Sequence, residues 1–187
     1  MIERREHDRL RHIFLPACFE YEDVFHVGVI RDMSSKGIGV QSDFLPRIGE
    51  TVHIQWGNCE PLAGRVQWTL GNRFGINVET DPLEYSRTHP YRSVRVPVGL
   101  PGEIHIAGSS HLGEILNMST KGIAVSHSGS LRKGQLASVS FGNENFENCT
   151  VRWSRDGMVG LSLDQTVRLQ TLSEIIDGAQ SYMRAAA

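Results

Sequence analysis

The sequence predicts an all-β protein made of two tandem six-stranded barrels, with a short linker helix and a C-terminal α-helix. The first observation is a repeat: a sequence similar to residues 31–40 occurs again 85 residues later, at 116–125. The second is a series of short runs in which apolar and polar residues alternate, as in half-buried antiparallel strands. About six runs recur in each copy, and closure into a barrel is the usual way to leave no strand edge exposed.

The repeat continues without insertion from Leu15 to Val78. The same shift places Trp68 on Trp153 and Gly75 on Gly160, and Gly71 with Asn72 supplies a hairpin turn. The alternation is copied too, since one apolar trio maps onto another: Val52, Ile54 and Trp56 onto Ala137, Val139 and Phe141. Each tryptophan falls at an inward position of its run, so we expect Trp56, Trp68 and Trp153 in the cores.

The boundary between the copies is expected near residue 86, giving domains 1–86 and 87–187. Asp81 followed by Pro82 is a helix start signal, so a short helix should precede Arg87. From Leu169 to Met183, apolar residues recur at intervals of three and four, which predicts a helix beginning near Asp164. This helix either covers its own barrel or forms a homodimer seam. Three apolar turns are too short to specify a coiled coil alone, which favours the first alternative.

Charge and composition exclude several classes of protein. The chain has 19 basic and 21 acidic residues, a balance that argues against coating DNA or an anionic membrane. It has no apolar run of about eighteen residues and a charged N-terminal stretch, so we expect no membrane insertion and a cytoplasmic location. Cys18, Cys59 and Cys149 lack paired spacing, so we expect small buried thiols rather than disulfides or a metal site. No nucleophile, base and orienting group recur together, which predicts that the chain is not an enzyme.

Two short motifs point to a ligand. Arg5 and Arg9 form RxxxR in a charged arm before the first strand, and Asp32, Ser34 and Gly37 form (D/N)xSxxG in the repeat. Both motifs, in this order, resemble the PilZ domain, a family of six-stranded barrels that bind cyclic di-GMP. The family's apolar pattern with tryptophan and glycine also matches, at 66–68 with 75–78 and at 151–153 with 160–163. The resemblance covers nearly the whole chain as two PilZ units, and it implies a cyclic di-GMP receptor with no other cofactor.

The chemistry of the ligand suits these residue types. Arginine donates two hydrogen bonds to a guanine edge or a phosphate and stacks on a base, so the resemblance implies a clamp by Arg5 and Arg9. Asp32 would accept from guanine N1–H and N2–H, and Ser34 would offer its hydroxyl to a phosphate or to the turn. Gly37 would bring the backbone close and adopt the positive φ of a hairpin corner. Two further cations are candidates for the same site: Arg4 and Lys36.

The second copy predicts a weaker site. Its candidate residues are Arg92, Arg95, Asn117, Ser119 and Gly122. Four residues before Arg95 stands Tyr91, so only RxxR remains, and a one-residue slip in an extended segment turns a side chain to the opposite face. Asn117 also lacks the charge that Asp32 offers to guanine. We therefore expect the first barrel to carry the principal site.

The predicted function is relay of the cyclic di-GMP level to an unidentified protein partner. A second interpretation is a ligand-independent interaction or dimerisation module that keeps the barrels for their shape. A third is a barrel that binds single-stranded nucleic acid, which needs exposed aromatic side chains on a basic face. Because the aromatic residues look buried in the sequence pattern, we expect no nucleic-acid partner.

Overall fold

The computed structural model describes residues 10–57, 60–88, 93–127, 129 and 131–186. The chain divides into two compact units, Met1–Val94 and Arg95–Ala187. Each unit holds a closed barrel of six antiparallel strands and one helix. The predicted all-β class, two barrels and two helices are confirmed.

The first barrel contains β1 (Leu10–Tyr21), β2 (Val24–Ser34), β3 (Gly37–Gln41), β4 (Thr51–Trp56), β5 (Leu62–Leu70) and β6 (Arg73–Val78). Its strands pair in the order β1-β2-β3-β6-β5-β4, and β4 pairs back with β1 to close the wall. Alternate side chains point inward because successive residues of a strand face opposite sides. Phe19 and Phe74 lie fully buried at the centre, with ring centroids 5.1 Å apart in an edge-to-face arrangement.

Helix α1 (Pro82–Thr88) follows β6 and packs on the first barrel. It begins as the sequence predicts, because the Asp81 carboxylate accepts a hydrogen bond of 2.8 Å from the Leu83 amide. The buried indole of Trp56 donates to the Ser86 hydroxyl at 3.0 Å. A bulky core residue thereby fixes the helix to the barrel.

The second barrel repeats the arrangement with β7 (Val96–Ile106), β8 (Ser109–Ser119), β9 (Gly122–Ser126), β10 (Leu136–Phe141), β11 (Glu144–Arg155) and β12 (Met158–Ser162). Helix α2 (Leu169–Ala186) starts after the position near Asp164 expected from the sequence. The reason is that the Val167 amide donates to the Thr120 carbonyl at 2.8 Å, which ties this segment to the β8–β9 turn. The apolar face of α2, including Leu172, Ile176 and Ala179, is buried within the second unit, where the helix contacts β7.

Trp68 lies on the outer face of the first barrel, so the prediction of a core position is wrong for it. Val66 pairs with Ile76 and Trp68 pairs with Gly75, which leaves Gln67 as an extra residue in a β-bulge. A bulge reverses the alternation of faces, and the half-buried indole therefore lies across Gly75. A β-carbon on this glycine would overlap the ring.

The second barrel repeats the bulge, with Trp153 paired to Gly160 and lying across it. The expectation that all aromatic side chains are buried is therefore wrong for two of the three tryptophans. Trp56 alone occupies the predicted core position.

Two cysteines of the described chain, Cys18 and Cys149, are buried free thiols. Burial, with a smaller contribution from the Glu20 carboxylate, raises the pKa of Cys18 to about 12. Burial also raises the pKa of Cys149 to about 11, with a smaller contribution from Asp164. Cys59 lies outside the described residues.

We expect neither buried thiol to react with a disulfide reagent at pH 8 in the native chain. A raised thiol pKa keeps the proton on sulfur. The rise from the ordinary value of 9.0 leaves roughly a thousandfold less thiolate at Cys18, whose pKa is about 12, and roughly a hundredfold less at Cys149, whose pKa is about 11. Mass spectrometry of the native and denatured chains after labelling checks this, because denaturation should make both thiols reactive. Rapid native labelling of Cys18 or Cys149 would contradict the described burial.

Candidate functional site

The (D/N)xSxxG motif of the first barrel forms the hairpin between β2 and β3. Ser34 ends β2, Gly37 begins β3, and the Ser34 hydroxyl donates to the Gly37 carbonyl at 3.4 Å. The exposed Lys36 occupies the turn, where its carbonyl accepts from the Val78 amide at 3.0 Å. This places a cation at the tip and the hydroxyl against the turn.

Gly37 does not have a positive φ, so that part of the sequence expectation is wrong. A β-carbon built on it would lie 3.2 Å from the Ile76 carbonyl oxygen of β6. In the second barrel, a β-carbon on Gly122 would lie 2.6 Å from the Leu161 carbonyl oxygen. The close approach of two strands therefore excludes a β-carbon at Gly122 and leaves little room for one at Gly37, and this approach rather than turn conformation favours glycine there.

Asp32 is held by an arginine that the sequence analysis did not single out. Arg73, the first residue of β6, has its Nη2 atom 2.6 Å from the Asp32 Oδ2 atom. The Asp32 side chain is 13% exposed and that of Arg73 is 41% exposed. The two residues stand 41 positions apart in the chain and meet only through the barrel's pairing.

Four outward positions line up across the wall of the first barrel. Asp32 pairs with Gly39, Gly39 with Gly75, and Gly75 with Trp68. The Asp32 carboxylate lies over Gly39, since a β-carbon there would come within 2.6 Å of Oδ2, and the indole of Trp68 lies over Gly75. Each glycine of the row is therefore covered by a neighbouring side chain, Gly39 by a carboxylate and Gly75 by an aromatic ring.

The second barrel brings four of its predicted residues together. Arg95 Nη1 donates to Asn117 Oδ1 at 2.9 Å, and Arg95 Nη2 lies 3.8 Å from where a β-carbon of Gly122 would stand. The Ser119 hydroxyl donates to the Gly122 carbonyl at 3.3 Å and accepts from the Lys121 amide at the same distance. Arg95, which directly precedes β7, thus contacts the (D/N)xSxxG motif of the second barrel.

The two copies differ in a bulge of their first strand. Arg11 pairs with Asp32 and Leu15 with Ile30, whereas Pro97 pairs with Asn117 and Leu100 with Ile115, a stretch one residue shorter. Counted from the residue opposite the motif, Arg95 therefore corresponds to Arg9 in chain position. Four predicted arginines lie outside the described residues: Arg4, Arg5, Arg9 and Arg92.

A model of the PilZ domain matches residues 86–179, half of the chain. The chain belongs to the PilZ family. The match takes in the whole second barrel and most of α2. A search of curated proteins found no match.

Solved structures similar to this PilZ chain include the PlzA protein of Borreliella burgdorferi in complex with c-di-GMP. It is 12% identical with a TM-score of 0.38, over 92% of this chain and 94% of that one. The inhibitor of motility MotI of Bacillus subtilis is 15% identical with a TM-score of 0.41, over 94% and 99%. YcgR of Escherichia coli in complex with c-di-GMP is 12% identical with a TM-score of 0.36, over 92% and 86%.

Comparison of the two PilZ units provides the signal that sequence reasoning missed. At the position of Arg73 the second barrel has Met158, and at the position of Gly39 it has Ala124. These differences accompany the change from Asp32 to Asn117, so three residues that meet in the first barrel all differ in the second.

Among the described residues, no set of three or more histidine, cysteine, aspartate or glutamate side chains is arranged to hold a metal ion. Within the same residues, neither helix combines the length and apolar character needed to span a membrane.

Proposed function

We propose that this PilZ protein is a non-enzymatic receptor for cyclic di-GMP that relays the second messenger to a protein partner. The principal site is on the outer face of the first barrel, at Asp32, Ser34 and Gly37, with Arg5 and Arg9 closing over it. Arg4 and Lys36 add positive charge near the phosphates. The proposal places the receptor in the cytoplasm, with no nucleic-acid partner and no membrane insertion.

The observation that carries the proposal is the Arg95–Asn117 hydrogen bond of 2.9 Å. Pro97 is the residue of β7 that pairs with Asn117, and Arg95 stands two residues before it. The contact supports an arrangement in which an arginine at this position reaches the first residue of the motif. Arg9 has that position relative to Arg11 and Asp32. A guanidinium there can bind a phosphate or a guanine edge with two hydrogen bonds.

The first barrel also has the chemistry to read guanine. The Asp32 carboxylate is a hydrogen-bond acceptor suited to guanine N1–H and N2–H. Beside it, Gly39 and Gly75 lack the β-carbons that would push Asp32 and Trp68 away, so the carboxylate and the indole lie close against the wall of the barrel. The indole of Trp68 supplies an aromatic surface at the far end of the row.

A weaker second site is proposed at Arg95, Asn117, Ser119 and Gly122, with Arg92 as a further candidate. Asn117 is neutral, and a hydrogen bond to a charged group is generally worth more than one between neutral groups. The position of the arm's first arginine is occupied by Tyr91, so one cation of the clamp is missing. The alternative function, a ligand-independent interaction or dimerisation module, predicts no binding at either barrel.

Calorimetric titration of the full chain with cyclic di-GMP tests the proposal. We expect binding at two unequal affinities, with the tighter component lost in Asp32→Ala and the weaker one lost in Arg95→Ala. The absence of any binding heat and of any shift in thermal midpoint would refute the receptor function. Loss of the tighter component in Arg95→Ala, with Asp32→Ala unaffected, would reverse the assignment of the two sites.

A further inference from the structure

Arg73 lies on β6, whereas Asp32 lies on β2, and both strands pair with β3. Arg73 stands opposite Gln41 of β3, two residues before Gly75, so its side chain must run along the outer face to approach the carboxylate over Gly39. The resulting N–O distance of 2.6 Å is that of a strong charge-assisted hydrogen bond. The Arg73 Nε atom is buried and has no hydrogen-bond partner among the described residues, so the guanidinium is held largely by this contact and by packing.

Gly39 makes the pairing possible. A β-carbon at this position would lie between 2.6 and 2.8 Å from all three atoms of the Asp32 carboxyl group. Such distances are far below van der Waals contact, so any larger residue would displace the carboxylate from its present place. Three residues on three strands, Asp32, Gly39 and Arg73, therefore fix one carboxylate orientation.

The second barrel lacks every part of this arrangement. Ala124 supplies the β-carbon, Met158 has no charge to offer, and Asn117 pairs with Arg95 instead. The comparison separates two ways of holding the first residue of the motif. Among the described residues, Asp32 has a partner on β6, within the wall of the first barrel, whereas Asn117 has a partner that precedes β7.

We propose that Arg73 is a positioning residue that makes the first site selective for guanine. The inference rests on the proposed receptor function. With its orientation fixed, the Asp32 carboxylate can accept from both guanine N1–H and N2–H, and a base without the 2-amino group forfeits one of these bonds. A site built to bind a polar group discriminates strongly against an analogue that lacks it, provided the site's own group cannot turn away.

The test compares cyclic di-GMP with cyclic di-IMP, whose bases lack only the 2-amino group, in titrations of the full chain. Arg73→Met is the informative variant, because the second barrel holds methionine at the matching position. We expect it to weaken cyclic di-GMP binding at the tighter site by roughly fivefold to tenfold and cyclic di-IMP binding much less, which reduces the preference. Arg73→Lys, which keeps the charge but not the planar fork, should retain part of the preference.

Two control variants test whether the effect of Arg73→Met comes from positioning of Asp32 rather than from the loss of a positive charge or from a change in folding. Arg65→Ala removes another arginine of the same barrel, one whose Nε donates to the Gly49 carbonyl, and should leave the preference unchanged. In an Asp32→Asn background, Arg73→Met should have little further effect on the preference, because the two residues act as one unit.

The possible failures are distinguishable. If the parent chain binds neither ligand, both the receptor function and this inference are wrong. If the parent chain binds and Arg73→Met leaves the preference intact, or lowers both affinities equally, Arg73 does not position Asp32 and the receptor function stands.

Discussion

Replacing Arg9 with alanine is expected to weaken cyclic di-GMP binding at the first barrel by about tenfold or more. A hydrogen bond to a charged partner contributes about 1.5–3 kcal/mol, and each 1.4 kcal/mol or so corresponds to a factor of ten in affinity. The counterpart Arg95 lies on Asn117 in the second barrel, and we expect Arg9 to occupy the same place relative to Asp32. Titration of the full chain measures the loss.

Arg47 provides a control for the Arg9 experiment. It is exposed in the segment between β3 and β4, away from the motif in sequence, so Arg47→Ala removes an equal charge and should bind normally. Because distant surface charges are screened by salt, the contrast between the two variants should persist at 0.15 M ionic strength. An Arg9→Ala chain that binds as tightly as the parent would show that the arm is not a clamp.

Replacing Phe19 with alanine is expected to cost about 3–5 kcal/mol of unfolding free energy in the first barrel. Phe19 is fully buried and packs edge-to-face on Phe74, so truncation removes apolar burial, opens a cavity and loses an aromatic pair. A domain of this size is stable by only about 5–15 kcal/mol, and each kcal/mol lowers its thermal midpoint by about 4–8 °C. Thermal unfolding of the first barrel should therefore begin about 12–40 °C lower.

Hydrogen exchange resolved along the sequence would assign this loss to the first barrel, because the second unit has its own core. Leu70→Ala is the control, since Leu70 is 77% exposed and its truncation should change stability little. A Phe19→Ala cost below about 1 kcal/mol would mean that the described core is wrong.

The fold was predictable because its signals are local and repeated. Alternation in Val52, Ile54 and Trp56 reports a half-buried strand without any knowledge of its partner. The repeat then doubles the evidence, and the capping pattern at Asp81 locates α1. The start of α2 was misplaced, because the contact that delays it joins Val167 to Thr120, which are distant in sequence.

The candidate site was predictable only where its residues are close in sequence. Asp32, Ser34 and Gly37 are recognisable as a motif, whereas Arg73 approaches Asp32 through the pairing of β2, β3 and β6. Trp68 was assigned to the wrong face for a related reason. A bulge adds one residue to a strand, so each later side chain points to the opposite face from the one that simple alternation predicts. The sequence of the strand alone does not show where a bulge occurs.

The carboxylate over Gly39 makes three positions interdependent, and this restricts the order in which the copies can diverge. A first barrel that gained alanine at 39 would force Asp32 aside while Arg73 still required a counter-charge. Loss of either charge alone would remove this ion pair and leave the other charge partly buried without that contact. Because the second barrel has the neutral set Asn117, Ala124 and Met158, each arrangement is self-consistent and mixtures of the two are expected to be disfavoured. Substitutions at these positions should therefore be strongly epistatic, and the sequence history of one copy should not be read position by position from the other.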